Sequence, residues 1–486
     1  MLNLPNIAIV KILMKDFSRK IYTNIRLKLK RAFDAISNEN IKSNILQAVP
    51  FWIASIITGL IAVLYTKMFA LSESIRGWIF HSHSWLFFII TPVCFIISWW
   101  VVAKFSPYAK GSGIPQVMAA IELSTPRYNS KIKKMLSLPV IFVKIISSLI
   151  MTLGGGIIGR EGPTIQIAGS IFRKVNEWLP AWYPKISKRI MIMTGAAAGL
   201  AAAFNTPLGG IVFAIEELTK THLSYFKTAI FTAVIIAGLT AQGFLGSYLY
   251  LGYPQINTLS WWIFSVVIVV GAVAGFFGAY ASRIVLLIQK WKSTFKFQYQ
   301  HVLYLVFCAL LIASFAFFFS ADAIGSGKDL MVKALFTSEK YTTWYMPVLR
   351  ITGTVFSFTA GGAGGIFAPA LSAGASIGSL VSGWFNLNSS DANIIILCGM
   401  VSFLTGVTRS PFTCAILVLE MTDRNNLIFH LMFAGLVASI ASLLVDKHSL
   451  YHHLKDQYQH ELMHEDDEKP QQTTNDVKQE DAQKNE

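Results

Sequence analysis

Residues Gly154–Ser170 read GGGIIGREGPTIQIAGS and set Arg160 and Glu161 side by side in a glycine-rich apolar stretch. Pro163 follows, and an apolar helical run follows the proline. Proline suits the first turn of a helix, where its missing N–H would have had no partner. Glycine lets backbone approach a ligand closely. A helix start offers unpaired N–H groups and about +0.5 elementary charge, which together favour an anion. Two further stretches repeat the design, GSGIP at Gly111–Pro115 and GGIFAP at Gly364–Pro369. A single Gly-Pro element also builds plain loops and tight helix crossings. Three of them converging in an apolar chain would hold an anion without full positive charges, which would bind it too tightly to release.

Glu161 now acquires a reason to be there. A carboxylate is itself an anion. Ionised, Glu161 fills the anion site; protonated, it loses that attraction and swings away. It would be gate and proton carrier at once. The bland alternatives are a helix cap or a static pair with Arg160. Carboxylates within a membrane are costly, so function is the default reading.

The rest of the chain fits a membrane setting. Of 486 residues, 53% are hydrophobic and 14% charged, against about 25% charged in soluble domains. Mean hydropathy is +0.52. Phe51–Ala70, Trp85–Ala103, Phe226–Gly246 and Trp261–Ile288 are long enough to cross a bilayer. Other apolar runs are short and broken by Gly and Pro, as half-helices meeting inside a protein would be. The net charge of +15 reads as membrane topology rather than nucleic-acid binding, because the basic residues are scattered. The leader carrying Lys11, Lys15, Arg19, Lys20, Arg26, Lys28, Lys30 and Arg31 is expected to stay cytoplasmic, without a cleavable signal. Cys94, Cys308, Cys398 and Cys414 stand alone in apolar segments and read as small buried hydrophobes. We expect no cofactor and no metal.

An internal repeat is visible. GAAAGLAAAFNTPLGGIVFAIEELT (Gly195–Thr219) aligns with GMVSFLTGVTRSPFTCAILVLEMT (Gly399–Thr422). In each copy a glycine stands twelve residues before a proline, and a glutamate nine after it: Gly195, Pro207, Glu216 and Gly399, Pro411, Glu420. Two related halves are common in transporters, with the binding site at their interface. The sequence pattern leaves open whether they run parallel or inverted.

GSGIP, GREGP and GGIFAP, in this order and spacing, resemble the CLC family of chloride channels and chloride/proton exchangers. NTPLGGIVFAIEEL, RSPFTCAILVLEMT and Tyr451 in HSLYHHL extend the resemblance over about residues 45–455. It implies an all-α polytopic membrane protein with two inverted structural repeats of tilted, partly broken helices, roughly 50–245 and 260–445. It also implies a homodimer with one pore per subunit. By position, Ser112 and Tyr451 should ligate the central anion, with the N–H groups of Ile366 and Phe367. Glu161 is similar to the external gating glutamate, flanked by Arg160 and Gly162. Lys144 matches a buried basic position. Glu217 is similar to the internal proton-transfer glutamate, with Glu216 beside it as an auxiliary acid. Gln116 and Met118 stand where close relatives carry acids, and Ala168 replaces a glycine after GREGP.

We therefore expect residues 1–44 to form a basic cytoplasmic segment with an amphipathic helix and 45–455 the transmembrane transport domain. Residues 456–486 should form an acidic, disordered cytoplasmic tail, with no C-terminal regulatory domain. The setting is the inner (plasma) membrane, with both termini cytoplasmic. The leading function is exchange of chloride for protons. A passive voltage- or pH-gated chloride channel of the same fold, or an exchanger for another anion such as nitrate, stays open. An intramembrane enzyme is the reading from another class, but no nucleophile–base pair or H-E-x-x-H motif accompanies the glutamates.

Overall fold

The computed structural model describes residues 39–180, 182–218, 227–246, 249–256, 261–337 and 340–464. Most of the expected basic leader and the acidic segment from residue 465 lie outside the described residues. Two compact units are distinguished. In the small one, which among the described residues holds 39–50 with 182–185, the Tyr183 hydroxyl donates to the Leu46 carbonyl. The large one holds the helical body.

The first half of the chain runs through α1 (Glu39–Ser82), α2 (Phe87–Phe105), α3 (Ile114–Glu122), α4 (Asn129–Met135), α5 (Leu138–Leu153), α6 (Glu161–Trp178), α7 (Lys188–Phe204), α8 (Pro207–Phe213) and α9 (Lys227–Leu245). The second runs through α10 (Ile263–Lys292), α11 (Gln298–Phe318), α12 (Lys328–Phe336), α13 (Tyr345–Thr359), α14 (Phe367–Trp384), α15 (Ser389–Thr408), α16 (Pro411–Thr422) and α17 (Ile428–Leu443). Helix α18 (Leu450–His464) closes the described chain. It runs nine residues past the 455 boundary read from the sequence, because Tyr458 and Leu462 are buried against the body.

Eight helical segments among the described residues are long and apolar enough to cross a bilayer. Others are not: α3 has nine residues and α8 seven. At 1.5 Å per residue, both fall far short of a ~30 Å hydrocarbon core. Such pieces survive at depth only when packed inside protein. Large apolar side chains face outward along the long helices, among them Leu64, Phe142, Leu239 and Leu303, which suits a lipid surround rather than water.

The two halves are built alike. Helix α6 packs on α7, and α14 packs on α15, as the tightest pairs of their halves. Small residues set these crossings. A Cβ on Gly199 of α7 would lie 2.6 Å from Ala168 Cβ and 2.9 Å from the Thr164 carbonyl of α6. Ala168 is thus a packing residue at the crossing. One turn earlier on α7, Gly195 lies against Phe172 and the Ala168 carbonyl, and its counterpart Gly399 on α15 lies against Gly374 and Gly378 of α14. Helices α7 and α15 end on left-handed residues at matching positions, Asn205 (φ 59°) and Arg409 (φ 64°), and a proline restarts the chain two residues later.

The repeat's two glutamates reach across to each other's half. Glu216 accepts from the Phe412 N–H (3.2 Å), the Thr413 N–H (2.6 Å) and the Thr413 hydroxyl (2.7 Å) at the start of α16. Glu420 accepts from the Leu208 N–H (3.0 Å) and the Gly209 N–H (2.6 Å) at the start of α8. Each caps the other repeat's helix, the reciprocal pattern that a two-fold relation produces.

Candidate functional site

The three glycine loops meet and are laced through their backbones. Gly111 N–H donates to Gly362 O (2.9 Å) and Gly364 N–H to Gly111 O (3.0 Å). Gly159 and Gly365 exchange two bonds, at 2.8 and 2.7 Å. The segment before Ile366 therefore lies between the other two loops and fixes both. Gly162 must be glycine, because a Cβ there would collide with the Ser112 hydroxyl. The Ser112 loop itself turns on two left-handed glycines, Gly111 (φ +63°) and Gly113 (φ +100°).

Helices α3, α6 and α14 start at this meeting point. Their N-cap residues are Gly113, Arg160 and Ile366, and none is capped by its side chain. Ser112 and Tyr451 are both buried, and neither hydroxyl has a hydrogen-bond partner among the described residues. The two side chains are close enough to influence each other. Phe367 stacks on the Tyr451 ring, with centroids 6.2 Å apart and planes at 12°. Two buried hydroxyls without partners, with Ile366 and Phe367 at an uncapped helix start, offer donors of the kind a small anion accepts from.

The turn that leads into α18, and so to Tyr451, carries its own polar contacts. Just before α18, Asp446 accepts from the His448 N–H (2.9 Å) and pairs with His453 (3.1 Å). Burial opposes ionisation of Asp446, but these hydrogen bonds prevail and hold its carboxyl below its ordinary value.

Glu161 is 1% exposed and is the first residue of α6. Its carboxylate lies against its own N–H and the Ala368 N–H in the first turn of α14, near the charge of Arg160. Its Oε2 has no hydrogen-bond partner among the described residues. The carboxylate thus sits at two helix starts, where an anion would.

Lys144 on α5 is fully buried. Its Nζ donates to Ala109 O (2.9 Å) and Gly111 O (2.8 Å), with Lys110 O at 3.5 Å. Three acceptors around one nitrogen match the three donors of an ammonium group. Gln116, fully buried, braces the same loop through the Tyr108 and Lys110 carbonyls and the Tyr458 phenol. Met118 belongs to the apolar core. A cavity of about 330 Å³ opens beside Ser112, with Lys110, Lys292 and His301 on its wall.

Glu216 and Glu217 follow α8 on a π-helical turn, Ala214–Leu218. The turn sends the two acids to different places. Glu216 is the cap described above. Glu217 accepts a hydrogen bond from the Ser410 hydroxyl and lines a narrow cavity that reaches Phe367 and Tyr451.

Sequence reasoning passed over a second copy of the serine loop. Gly325–Ser326–Gly327 precedes α12 as Gly111–Ser112–Gly113 precedes α3, with φ values of +72° and +87° at its glycines. A buried cation serves this loop too: Arg350 donates to the carbonyls of Ala323, Ile324, Gly325 and Ser326 at 3.0–3.3 Å. Here the serine is engaged, donating to Glu73 Oε1 (2.6 Å). The signal was present in the sequence as GSGK echoing GSGI.

The family model described as voltage gated chloride channel matches residues 94–443, more than half of the chain. The chain belongs to that family. Among chloride-channel family members, it is 30% identical over 417 residues to the "H(+)/Cl(-) exchange transporter ClcA" of Citrobacter koseri, covering 81% of this chain and 85% of the relative. The Klebsiella pneumoniae protein of the same name is 31% identical over 386 residues, covering 75% and 77%. A slow cyanobacterial Cl−/H+ antiporter of known structure superposes with a TM-score of 0.75 at 22% identity, over 85% of this chain and 98% of that one. A CLC-type fluoride/proton antiporter gives 0.69 at 22% identity, with the same coverage. These likenesses establish the chloride-channel family fold, with its two inverted repeats.

Proposed function

We propose that this protein is a secondary active transporter that exchanges chloride for protons. It would work in the inner (plasma) membrane as a homodimer with one pore per subunit and both termini cytoplasmic. The observation that carries the reading is the second acid: Glu217 lies on the cavity that leads to Tyr451 and Phe367, separate from Glu161. A passive channel needs a gate and a path for the anion. Only coupling needs a carboxylate on an inner route as well. The printed names of the relatives and of the solved structures, exchange transporter and antiporter, support it.

Chloride enters past Lys110, Lys292 and His301, whose cavity wall attracts anions. The Ser112 and Tyr451 hydroxyls and the N–H groups of Ile366 and Phe367 take the ion. Lys144 neutralises the loop carbonyls behind Ser112, so they do not repel it. Gly162 keeps the loops close enough to share one ion. Ionised, Glu161 competes for the helix starts of α6 and α14. Protonated, it no longer does, and the anion passes. Arg160 keeps positive potential at that outer mouth. Protons reach Glu161 from Glu217, because the potential that draws chloride past Ser112 repels them. Glu216 holds α16 in place for this step.

Reconstitution into liposomes under a chloride gradient, with chloride and proton flux recorded together, tests the proposal. Protons driven uphill by chloride are the expected result. Chloride flux that dissipates the gradient without protons would make the protein a passive channel instead. Nitrate carried in preference to chloride would change the assigned substrate.

A further inference from the structure

The hydroxyl of Ser410 does something its position does not require. Ser410 is the N-cap of α16, where a serine ordinarily accepts from an N–H of its own helix. It makes no such bond. The Phe412 and Thr413 N–H groups are taken by Glu216 instead. Ser410, 2% exposed, turns its hydroxyl to the Glu217 carboxylate.

The internal repeat supplies a built-in control. Thr206 is the N-cap of α8, the counterpart of Ser410, and it also makes no side-chain cap. Glu420 caps that helix as Glu216 caps α16. The residue after Glu420 is Met421, where the residue after Glu216 is Glu217. The Thr206 hydroxyl is buried without a hydrogen-bond partner among the described residues. The fold therefore holds this joint together without a hydroxyl–carboxylate pair. The pair exists only in the half where an acid lines the cavity.

That cavity has Glu217 and Ser410 on its wall, then Thr408 and Cys414, and reaches Phe367 and Tyr451. It is too narrow for a water-sized sphere, so the direction in which the carboxylate points decides whether it faces the anion site. We propose that Ser410 is a positioning residue for Glu217, holding its carboxylate on this cavity so that its proton passes to Glu161. The inference rests on the exchange reading above. A hydroxyl suits both states of the acid: it donates to the carboxylate and accepts from the carboxylic acid. The pair thus persists through a proton cycle, which a Lys at position 410, a donor without an acceptor, would not allow.

The test compares wild type, Ser410→Ala and Ser410→Thr in chloride-loaded liposomes, measuring protons moved per chloride. A positioned group that loses its support costs roughly one to two orders of magnitude, so Ser410→Ala should move about tenfold fewer protons per chloride. Ser410→Thr keeps the hydroxyl and should keep coupling near wild type, as threonine, at Thr206, already fills the counterpart N-cap. Wild-type coupling in Ser410→Ala, or lost coupling in Ser410→Thr, overturns the assignment. Should the alanine variant not assemble, Ser410→Cys, a near-isosteric weak donor, takes its place with the same direction expected, and unchanged coupling there also overturns it. Wild-type protein that moves no protons uphill refutes the exchange reading itself, which separates the two failures.

Discussion

Replacing Lys144 by Gln isolates the charge behind the anion site from its hydrogen bonds. The ammonium donates to Ala109 O at 2.9 Å and Gly111 O at 2.8 Å, and Ser112 is the next residue. Glutamine keeps two N–H donors for those carbonyls, so the loop loses little of its bracing. It removes one unit of charge at roughly 7 Å from an ion on Ser112, a spacing of about two residues of chain. At an effective dielectric constant of about 20, that charge attracts the ion by ~2.4 kcal/mol. The open cavity beside Gly111 and Ser112 admits solvent, so we take about half, ~1.2 kcal/mol, as the loss. That is close to a tenfold weaker chloride affinity. Isothermal titration of the purified variant with chloride measures it directly. Correctly folded Lys144→Gln that binds chloride within twofold of wild type would refute the electrostatic role and leave Lys144 as a brace.

Ser112→Pro removes the hydroxyl donor and should raise nitrate transport relative to chloride; an unchanged anion preference in matched flux assays removes Ser112 from the selectivity site. Glu161→Gln mimics the protonated gate, so chloride flux should continue, lose its pH dependence and carry no protons. Uphill proton movement in that variant would take Glu161 out of the mechanism. Glu217→Gln should abolish coupled proton flux while chloride still binds; wild-type proton flux would mean another entry residue. Glu420→Ala uncaps α8, and a lost cap costs ~0.5–2 kcal/mol, so the variant should inactivate faster on heating in detergent than wild type. Equal half-lives would show that the cross-repeat cap adds no kinetic stability.

The sequence exposed the outline of the site because its parts are local. GSGIP, GREGP and GGIFAP each announce a helix start through glycine and proline spacing, and all three starts meet. What the spacing could not supply is the pairing among them. The bonds of Gly111 to Gly362 and Gly364, and of Gly159 to Gly365, are made by backbone, which leaves no side-chain signature, across more than 200 residues. Glu216 shows the opposite case. It reads as a companion acid to Glu217 because they are neighbours, yet the π-helical turn separates them, and Glu216 becomes a cap. The repeat spacing, proline plus nine in both copies, carried that information. Gln116 reads from the sequence as a departure from the family's motif, and in the structure it is a strut of the Ser112 loop. Glu73 gave no signal, since a lone acid on a long helix reads as surface until Ser326 is seen against it.

The exchanged caps also bear on how the chain is made. The N–H groups that begin α8 find their acceptor 211 and 212 residues later, in Glu420. At a synthesis rate of roughly 5–20 residues per second, that glutamate arrives about 10–40 s after the helix it completes. Until then the first half sits in the membrane with an open helix start, and any passing carboxylate can answer it. The second half leaves the ribosome with the opposite need already met, because Glu216 is waiting for α16. Maturation is therefore ordered by the chain itself: the early half receives the late one, and the late one finishes the early one.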